Sequence, residues 1–383
     1  MHPRNIYNVE PDFKQLATTF DSFKTFVKEG LNGRSFINFK DPNAVKELCR
    51  CLMKKDFNIE IDFPLDRLCP AIPNRLNYIL WLEDLLSETM ETTTKAKGID
   101  IGVGASCIYP LLACACHPHW SFLGTEIDTR SMDYAKKNIE RNHLEDRIQL
   151  MYNKDPDKIF PLDDEKETFD FCMCNPPFYE SKEALEEGMS NKELEPYAVC
   201  TGSSNEMITT GGEYGFISKM INESVRLGTR IRWYTSMLGM KKSIGPLVRL
   251  IKQAKITNYL VTELTQGKTT RWVIAWSFYS ERAFKTYSLE EYHPKCQFVV
   301  NLPKSPQFVI DQMECILKDL EIDYEKKQDD ETITSTVRRN TWSRAARRQK
   351  RQKIIHEEEK REDLFTFVLE WMEDSENEFS GLM

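Results

Sequence analysis

The 383-residue sequence has no apolar run long enough to cross a membrane as a helix. Its longest apolar stretch, Ile101 to Cys116, is interrupted by Gly and Pro and is shorter than the roughly 18 to 20 residues that a bilayer helix needs. The first residues lack an apolar run behind their single early Arg, so a signal peptide is not expected. We therefore expect a protein that stays inside the cell and has no membrane partner.

The sequence also lacks internal repeats, long low-complexity linkers and the cysteine spacing of a disulfide framework. Its 11 cysteines are an odd number scattered along the chain, which indicates reduced thiols in core positions. With 40% hydrophobic and 29% charged residues, the chain suits two packed domains and excludes a disordered tail protein. These features favour a globular protein in a reducing compartment.

A general excess of positive charge is missing too, because the formal net charge is −8. This charge excludes a protein coated with cations for bulk binding of polyanions. Two windows, Arg226 to Lys255 and Arg338 to Lys353, nevertheless hold eight basic residues each and no acidic one. A charge run is usually a solvated face, but two such windows in an acidic protein favour contact with phosphates.

The periodicity of apolar residues divides the chain into three parts, two of which lie before about residue 280. Helical spacing predicts helices within the first 90 residues, at Asp12–Lys28, Asp41–Lys55 and Asn74–Leu86. Seven strand candidates follow at Gly98–Gly102, Ser121–Ile127, Arg147–Tyr152, Phe169–Cys174, Ile231–Met237, Thr257–Leu264 and Trp272–Tyr279. Helix candidates lie between them at Cys107–Cys116, Arg130–Asn142, Glu213–Arg226 and Ile244–Lys255.

Strands that alternate with helices predict a mainly parallel sheet covered on both faces. The last two strand candidates have no helix between them, so we expect an antiparallel hairpin at one edge. Seven strands are the number of a Rossmann-like class I methyltransferase. After a polar break, a second α+β pattern predicts the strands Gln297–Leu302 and Thr332–Val337 and the helices Ser305–Leu320 and Trp342–Glu359.

A glycine-rich turn follows the first strand candidate, in the sequence from Gly98 to Ser106. Glycines let the backbone pass close to a ligand, and the following helix offers free N–H groups. Glu126 ends the next strand candidate, 24 residues after Gly102, where a carboxylate would accept hydrogen bonds from both ribose hydroxyls of a nucleoside cofactor. A turn without a ligand is the alternative, and the position of Glu126 favours the nucleoside site.

The fourth strand candidate runs directly into Asn175, Pro176, Pro177 and Phe178. The prolines stop the strand and stiffen the turn, so that the Asn175 side-chain oxygen and the Pro176 carbonyl face one point. Two acceptors on the N–H groups of a planar exocyclic amine would expose its lone pair to an electrophilic methyl group, while Phe178 stacks on the ring. The turn therefore predicts methyl transfer to an amino group, with a stiffened packing turn as the alternative.

Other candidate residues have simpler interpretations. Cys114, Cys116, His117 and His119 are too close together to form a tetrahedral zinc site, so we expect buried thiols, solvated histidines and no metal. Trp233, Tyr234 and Trp342 could stack unpaired bases, although core packing is the favoured interpretation of both tryptophans. The basic run from residue 347 to 351 suits RNA binding, nuclear import or both.

These motifs resemble the methyltransferase-like-protein-16 family over about residues 1–280, and more weakly from Gln297 to about Lys353. The likeness is carried by Leu31–Arg34, Asn38–Pro42, Arg75–Tyr78, Ile101–Pro110, Asp170–Phe178, Arg232–Tyr234, Arg271–Trp272 and Ala275–Tyr279. It implies an S-adenosylmethionine-dependent enzyme that makes N6-methyladenosine in structured RNA. The family's substrates are U6 spliceosomal RNA and hairpins or splice sites of S-adenosylmethionine synthetase messages.

The resemblance also implies roles for individual residues. It places the catalytic tetrad at Asn175, Pro176, Pro177 and Phe178, and cofactor contacts at Arg75, Gly102, Ser106, Glu126 and Asn175. It places RNA contacts at Lys40, Lys268 and Arg271. With the cationic windows and the family motif at Leu31–Arg34, the expected RNA-binding residues also include Asn32, Arg34, Lys241, Lys242, Arg347, Arg348, Lys350 and Arg351. The loop at residues 180–195 departs from the Arg- and Pro-rich loop of vertebrate relatives, because it carries six acidic residues and two lysines.

Four segments follow from this interpretation. We expect a helical, RNA-contacting cap at residues 1–90 and an S-adenosylmethionine-dependent methyltransferase domain at 91–285. A small α+β RNA-binding module should follow at 293–372, with an acidic tail at 373–383. The expected location is nucleus and cytoplasm.

Three other functions stay open from the residues alone. Ribosomal RNA adenosine-N6 methyltransferases share the same catalytic turn. Protein glutamine-amide methyltransferases present the same acceptors on a turn that ends in Tyr, so Phe178 and the cationic windows argue against them. A non-catalytic RNA-binding splicing regulator would not need the intact cofactor and catalytic turns.

Overall fold

The protein's structure is a computed structural model that describes residues 1–30, 33–91, 94–162, 167–190, 202–267, 269–283, 286–292, 299–302, 305–326, 332–337, 341, 365–373 and 379–382. The chain divides into two compact units, Met1–Pro294 and Lys295–Met383. No helix among these residues is both long and apolar enough to span a bilayer.

The first helix is shorter than the sequence predicts. Helix α1 covers Phe13–Thr19, α2 covers Asp21–Lys24, and the chain then forms the antiparallel hairpin of β1 (Val27–Glu29) and β2 (Ser35–Ile37). The predicted helix at Asp12–Lys28 is therefore wrong beyond Lys24. Threonine hydroxyls at the end of α1 donate to carbonyls four residues earlier, and the next residue, Phe20, is extended, which interrupts the helix.

Two longer helices complete the N-terminal segment. Helix α3 (Pro42–Phe57) is capped by the Asp41 side chain and ends at Asn58, which has a φ of 55°. Helix α4 (Ile72–Thr89) is buried along most of its length and is longer at both ends than the predicted helix at Asn74–Leu86. Their apolar side chains share one core with those of the central sheet, so this segment packs as part of the first unit.

The central sheet confirms the predicted class of fold. Its strands are β3 (Lys97–Ile101), β4 (Ser121–Glu126), β5 (Ile148–Tyr152), β6 (Phe169–Cys174), β7 (Ile231–Leu238), β8 (Asn258–Gln266) and β9 (Thr269–Ser277). Their order is β5-β4-β3-β6-β7-β9-β8. The first five are parallel, while β9 runs antiparallel between β7 and β8, as expected for an edge hairpin.

Six helices lie between or beside the strands in the chain, namely α5 (Ile108–Cys116), α6 (Thr129–Arg141), α7 (Lys182–Ser190), α8 (Ser204–Met207), α9 (Gly212–Leu227) and α10 (Ile244–Gln253). Sequence periodicity predicted four of the six and missed α7 and α8, which both follow β6. The chain leaves β3 towards β4 on one side, while β6 pairs with β3 on the other. Ligands bind at the carboxyl ends of the strands at such a switch point.

The second unit contains a separate five-stranded antiparallel sheet. Its elements are β10 (Val299–Leu302), α11 (Pro306–Asp319), β11 (Asp323–Lys326), β12 (Thr332–Val337), β13 (Phe365–Glu373) and β14 (Phe379–Leu382). Strand β14 pairs with β10 and β13, so the predicted acidic tail at 373–383 is wrong over this strand. The many carboxylates around β13 favoured the prediction of a solvated segment, although apolar residues alternate along this strand. The predicted helix at Trp342–Glu359 lies outside the described residues.

Candidate active site

A cavity of about 260 Å³ opens at the carboxyl ends of β3, β4 and β6. It brings together residues that are far apart in the sequence. Six of the predicted site residues line it, namely Arg75, Gly102, Ser106, Glu126, Asn175 and Pro177. The predicted cofactor turn and the predicted catalytic turn therefore share one cavity.

The glycine turn needs left-handed backbone at two positions. Gly102 and Gly104 have φ values of 70° and 64°, a conformation that costs residues with a Cβ atom about 1 kcal/mol or more. The Val103 N–H donates to the Thr125 carbonyl at 2.9 Å, which fixes the turn against β4. The turn thus presents its backbone to the cavity and then enters α5.

Glu126 holds the glycine turn through its carboxylate. Oε2 accepts a hydrogen bond from Gly104 N at 2.8 Å, and Oε1 accepts from Ile127 N at 2.9 Å and Asp128 N at 3.0 Å. Burial raises the pKa of this carboxyl, and the three N–H donors oppose that shift. The side chain is 8% exposed, and a lone pair on Oε2 remains for a ligand hydroxyl at the cavity wall.

Arg75, which lines the cavity, and Asp100, which precedes the cavity-lining Ile101, are buried groups that lack some of their hydrogen bonds within the described residues. Arg75 donates to Tyr109 Oη at 2.7 Å, but its Nε has no hydrogen-bond partner within the described part of the chain. The same holds for both carboxylate oxygens of Asp100, which is 1% exposed. Burial raises the pKa of Asp100 to about 8, and the Arg75 charge opposes the rise.

Sequence reasoning assigned no role to Asp100 or Tyr109. A signal for Asp100 was present, because a carboxylate lies inside a buried strand two residues before Gly102. Such a group costs free energy unless it meets a partner, so its position points to a ligand. Tyr109 offered no comparable signal, since its position on α5 depends on the tertiary fold.

The Asn175–Phe178 turn leaves β6 at the centre of the sheet. Asn175 is partly exposed at the cavity and makes no hydrogen bond to another described residue, so its amide is free to meet a ligand. The Phe178 ring packs on Gly239, where an added Cβ would lie 2.9 Å from Cδ1 of the ring. The Arg271 guanidinium lies 5.6 Å from the centre of the same ring.

A segment before α4 closes one side of the cavity, and no pattern in the sequence indicates it. Leu68 lines the cavity, and its N–H donates to both carboxylate oxygens of Glu206, at 3.2 and 3.0 Å. Arg67 in the same segment forms an ion pair with Asp128 at 2.9 Å. The segment is thus fixed both to α8 and to the start of α6.

The predicted RNA-binding residues fall into three groups. Arg34, Lys40, Lys241 and Lys242 are exposed on the first unit. Arg271 is mostly buried beside Phe178, where burial lowers its pKa. The others lie outside the described residues, namely Asn32, Lys268, Arg347, Arg348, Lys350 and Arg351.

Two predicted roles need correction. Trp233 and Tyr234 are 1% and 0% exposed on β7, so the suggestion that they stack RNA bases is wrong, whereas the core interpretation of Trp233 is confirmed. His117 is partly buried and stacks on Trp120 at 4.0 Å between ring centres, so it is not simply solvated. No metal-binding group of three His, Cys, Asp or Glu side chains occurs in the described ranges.

A parallel sheet with one antiparallel edge hairpin, and with a cavity at its switch point, is the arrangement of class I S-adenosylmethionine-dependent methyltransferases. The sequence model of an RNA methyltransferase family, Methyltransf_10, matches residues 1–280. The chain belongs to this RNA methyltransferase family, together with METTL16.

Two named relatives indicate the activity within the family. RNA N(6)-adenosine-methyltransferase METTL16 of Homo sapiens is 39% identical over 388 residues, which cover 92% of this chain and 68% of that protein. The U6 small nuclear RNA (adenine-(43)-N(6))-methyltransferase of Schizosaccharomyces pombe is 39% identical and covers 83% of both chains. The chain spans between 51% and 69% of the length of its vertebrate relatives.

Solved structures agree with this membership. The human METTL16 catalytic domain in complex with MAT2A 3′UTR hairpin 1 is 43% identical, with a TM-score of 0.67. The matched region covers 73% of this chain and 96% of the METTL16 chain. The N-terminal domain of human METTL16 in complex with SAH is 41% identical, with a TM-score of 0.62, and covers 73% and 99%.

Proposed function

We propose that this chain methylates the N6 amine of an adenosine in structured RNA, with Asn175–Phe178 as its catalytic turn. The observation that supports this most is that Asn175 and Pro177 line the same cavity as the glycine turn and Glu126. The Asn175 side-chain oxygen and the Pro176 carbonyl accept from the two N–H groups of the amine. Phe178 stacks on the adenine once the nucleotide has turned out of the RNA.

The residues around the cavity fit S-adenosylmethionine, which supplies an electrophilic methyl group when bound. Its amino-acid end carries an ammonium and a carboxylate. The Asp100 oxygens, which have no hydrogen-bond partner among the described residues, suit the ammonium, and the guanidinium of Arg75 suits the carboxylate. Glu126 accepts from a ribose hydroxyl through its remaining lone pair, while Gly102 and Ser106 bring the turn close to the cofactor.

Cations without acidic partners support the RNA interface. Lys242, Arg249 and Lys252 are exposed at and along α10, and none forms an ion pair within the described part of the chain. Elsewhere in the same unit, exposed cations are commonly neutralised, as Lys54 is by Glu60 at 2.8 Å. A row of unneutralised charges is costly in isolation and is stabilised by a phosphate backbone.

The proposed RNA contacts lie on both units of the chain. On the first unit, RNA is contacted by seven residues: Asn32, Arg34, Lys40, Lys241, Lys242, Lys268 and Arg271. The second unit binds RNA through Arg347, Arg348, Lys350 and Arg351. The substrates are U6 small nuclear RNA and S-adenosylmethionine synthetase pre-messenger RNA, which implies action in the nucleus; action in the cytoplasm would require mature messages as substrates.

Labelling tests this function directly. The purified chain is incubated with radiolabelled S-adenosylmethionine and either total cellular RNA or total cellular protein. We expect label only in RNA, enriched in the U6 fraction and recovered as N6-methyladenosine. Label in protein would favour glutamine methylation, label in ribosomal RNA would favour the ribosomal alternative, and no label would favour a non-catalytic regulator.

A further inference from the structure

Glu213 is a buried carboxylate that the proposed catalytic scheme does not use. It lies at the start of α9 and is 1% exposed. Oε2 accepts from Gly239 N at 2.7 Å, and Oε1 accepts from Met240 N at 3.1 Å. Burial raises the pKa of this carboxyl, and bonds from the Ser243 hydroxyl and the two N–H groups oppose the rise. Its side chain thus fixes the backbone at the end of β7.

That piece of backbone supports the ring of Phe178. An added Cβ at Gly239 would approach the Phe178 ring to 2.9 Å, so the ring rests directly on this residue's backbone. Glu213 also reaches Phe178 from the other direction, because its own N–H donates to the Phe178 carbonyl at 3.4 Å. One residue therefore holds both the main chain of Phe178 and the surface under its ring.

Arg271 adds a third link. Its guanidinium lies 5.6 Å from the centre of the Phe178 ring. Burial and the nearby charge of Arg75 both disfavour the charged form of Arg271, whereas the Glu213 carboxylate favours it. Without that negative charge, the repulsion between the Arg75 and Arg271 charges would be unopposed by Glu213, and Arg271 would move towards solvent.

We propose that Glu213 is a positioning residue that fixes Phe178 for stacking on the target adenine, through Gly239 and Arg271. The inference rests on the proposed function, since it assumes that Phe178 meets the adenine. Its consequence is specific, because a displaced ring would misalign the amine with Asn175 even when RNA and cofactor are bound. Misalignment of about 1 Å is enough to reduce turnover about a hundredfold.

The helix itself provides a matched control. Glu223, ten residues further along α9, also accepts hydrogen bonds from two successive backbone N–H groups, those of Ile159 at 2.9 Å and Phe160 at 3.0 Å. Glu213→Gln and Glu223→Gln therefore remove the same kind of bond from the same helix. Ile159 lines the cofactor cavity, so turnover is measured at saturating S-adenosylmethionine.

The first measurement compares kcat for methylation of a U6-derived RNA with the melting temperature of each variant. We expect both variants to melt at lower temperature, whereas Glu213→Gln alone lowers kcat, by about tenfold or more. Affinity for S-adenosylhomocysteine should stay within about twofold of wild type for Glu213→Gln. Equal losses of kcat in the two variants would show that the bond matters only for stability and would overturn the proposal.

The second measurement is a double-mutant cycle with Phe178→Leu. If Glu213 acts through Phe178, Glu213→Gln should lower kcat by less than about twofold once the ring is absent. Losses that multiply would mean that the two residues act independently, and would overturn the proposal. Wild-type turnover on the same RNA is measured first, because its absence would refute the proposed function itself, independently of Glu213.

Discussion

The carboxylate of Glu126 accepts a hydrogen bond from the backbone N–H of Gly104 at 2.8 Å. This hydrogen bond joins the acidic end of β4 to the glycine turn after β3, so the two segments fix each other's position. The sequence predicted both features from their spacing, but it assigned Glu126 only to ribose. The side chain also fixes the backbone of the glycine turn.

Replacing Glu126 by Ala should therefore weaken cofactor binding strongly. The ribose loses a charged acceptor worth about 1.5 to 3 kcal/mol, and the turn loses a support. Titration calorimetry with S-adenosylhomocysteine measures the change, and RNA affinity without cofactor serves as the control and should barely move. An unchanged cofactor dissociation constant would contradict the assignment of Glu126.

Cofactor binding should also release a proton below pH 8. Burial raises the pKa of Asp100 to about 8, so the free chain carries this carboxyl mostly protonated at pH 7. An ammonium group paired with Asp100 favours the ionised form, and the proton must leave. Affinity for S-adenosylhomocysteine should thus rise with pH, approaching about tenfold per unit, and level off above pH 8.

Calorimetry at pH 7 in two buffers of different ionisation enthalpy measures that proton. The observed binding enthalpy should differ between the buffers for the wild type and agree for Asp100→Asn. Equal enthalpies in the wild type would show that Asp100 does not ionise on binding.

Removal of the second unit should leave catalysis intact and weaken the binding of long RNA. A chain ending at Pro294 keeps every residue assigned to chemistry, so it should still methylate a short hairpin. It should bind long structured RNA more weakly, and each phosphate that the protein no longer neutralises should reduce the logarithmic salt slope by about 0.7 to 0.9. A folded, shortened chain with an unchanged slope would contradict RNA binding by the second unit.

Much of the fold could be predicted because local patterns and tertiary packing agree in the central sheet. All seven strands and the edge hairpin follow from short apolar runs and from the missing helix between β8 and β9. The predictions failed where another signal masked the pattern. Threonines ended α1 early, and abundant carboxylates concealed β13 and β14.

In the candidate site, sequence could predict only the residues that belong to short, continuous motifs. Asn175 and Glu126 follow directly from strand ends, but Glu213 and Glu206 act through backbone N–H groups that are distant in the sequence. Glu206 bonds to Leu68, 138 residues away. No local periodicity encodes such interactions, since they depend on how the loops meet above the sheet.

The most direct test is the product formed by the wild type and by Asn175→Ala. Both proteins are incubated with U6-derived RNA and S-adenosylmethionine, and the RNA is digested to nucleosides for mass spectrometry. We predict N6-methyladenosine from the wild type. For Asn175→Ala we predict a loss of turnover that corresponds to roughly 3 to 4 kcal/mol, with nearly unchanged binding of S-adenosylhomocysteine. A variant that retains more than about a tenth of wild-type turnover, or a wild type that methylates another atom, would contradict the account.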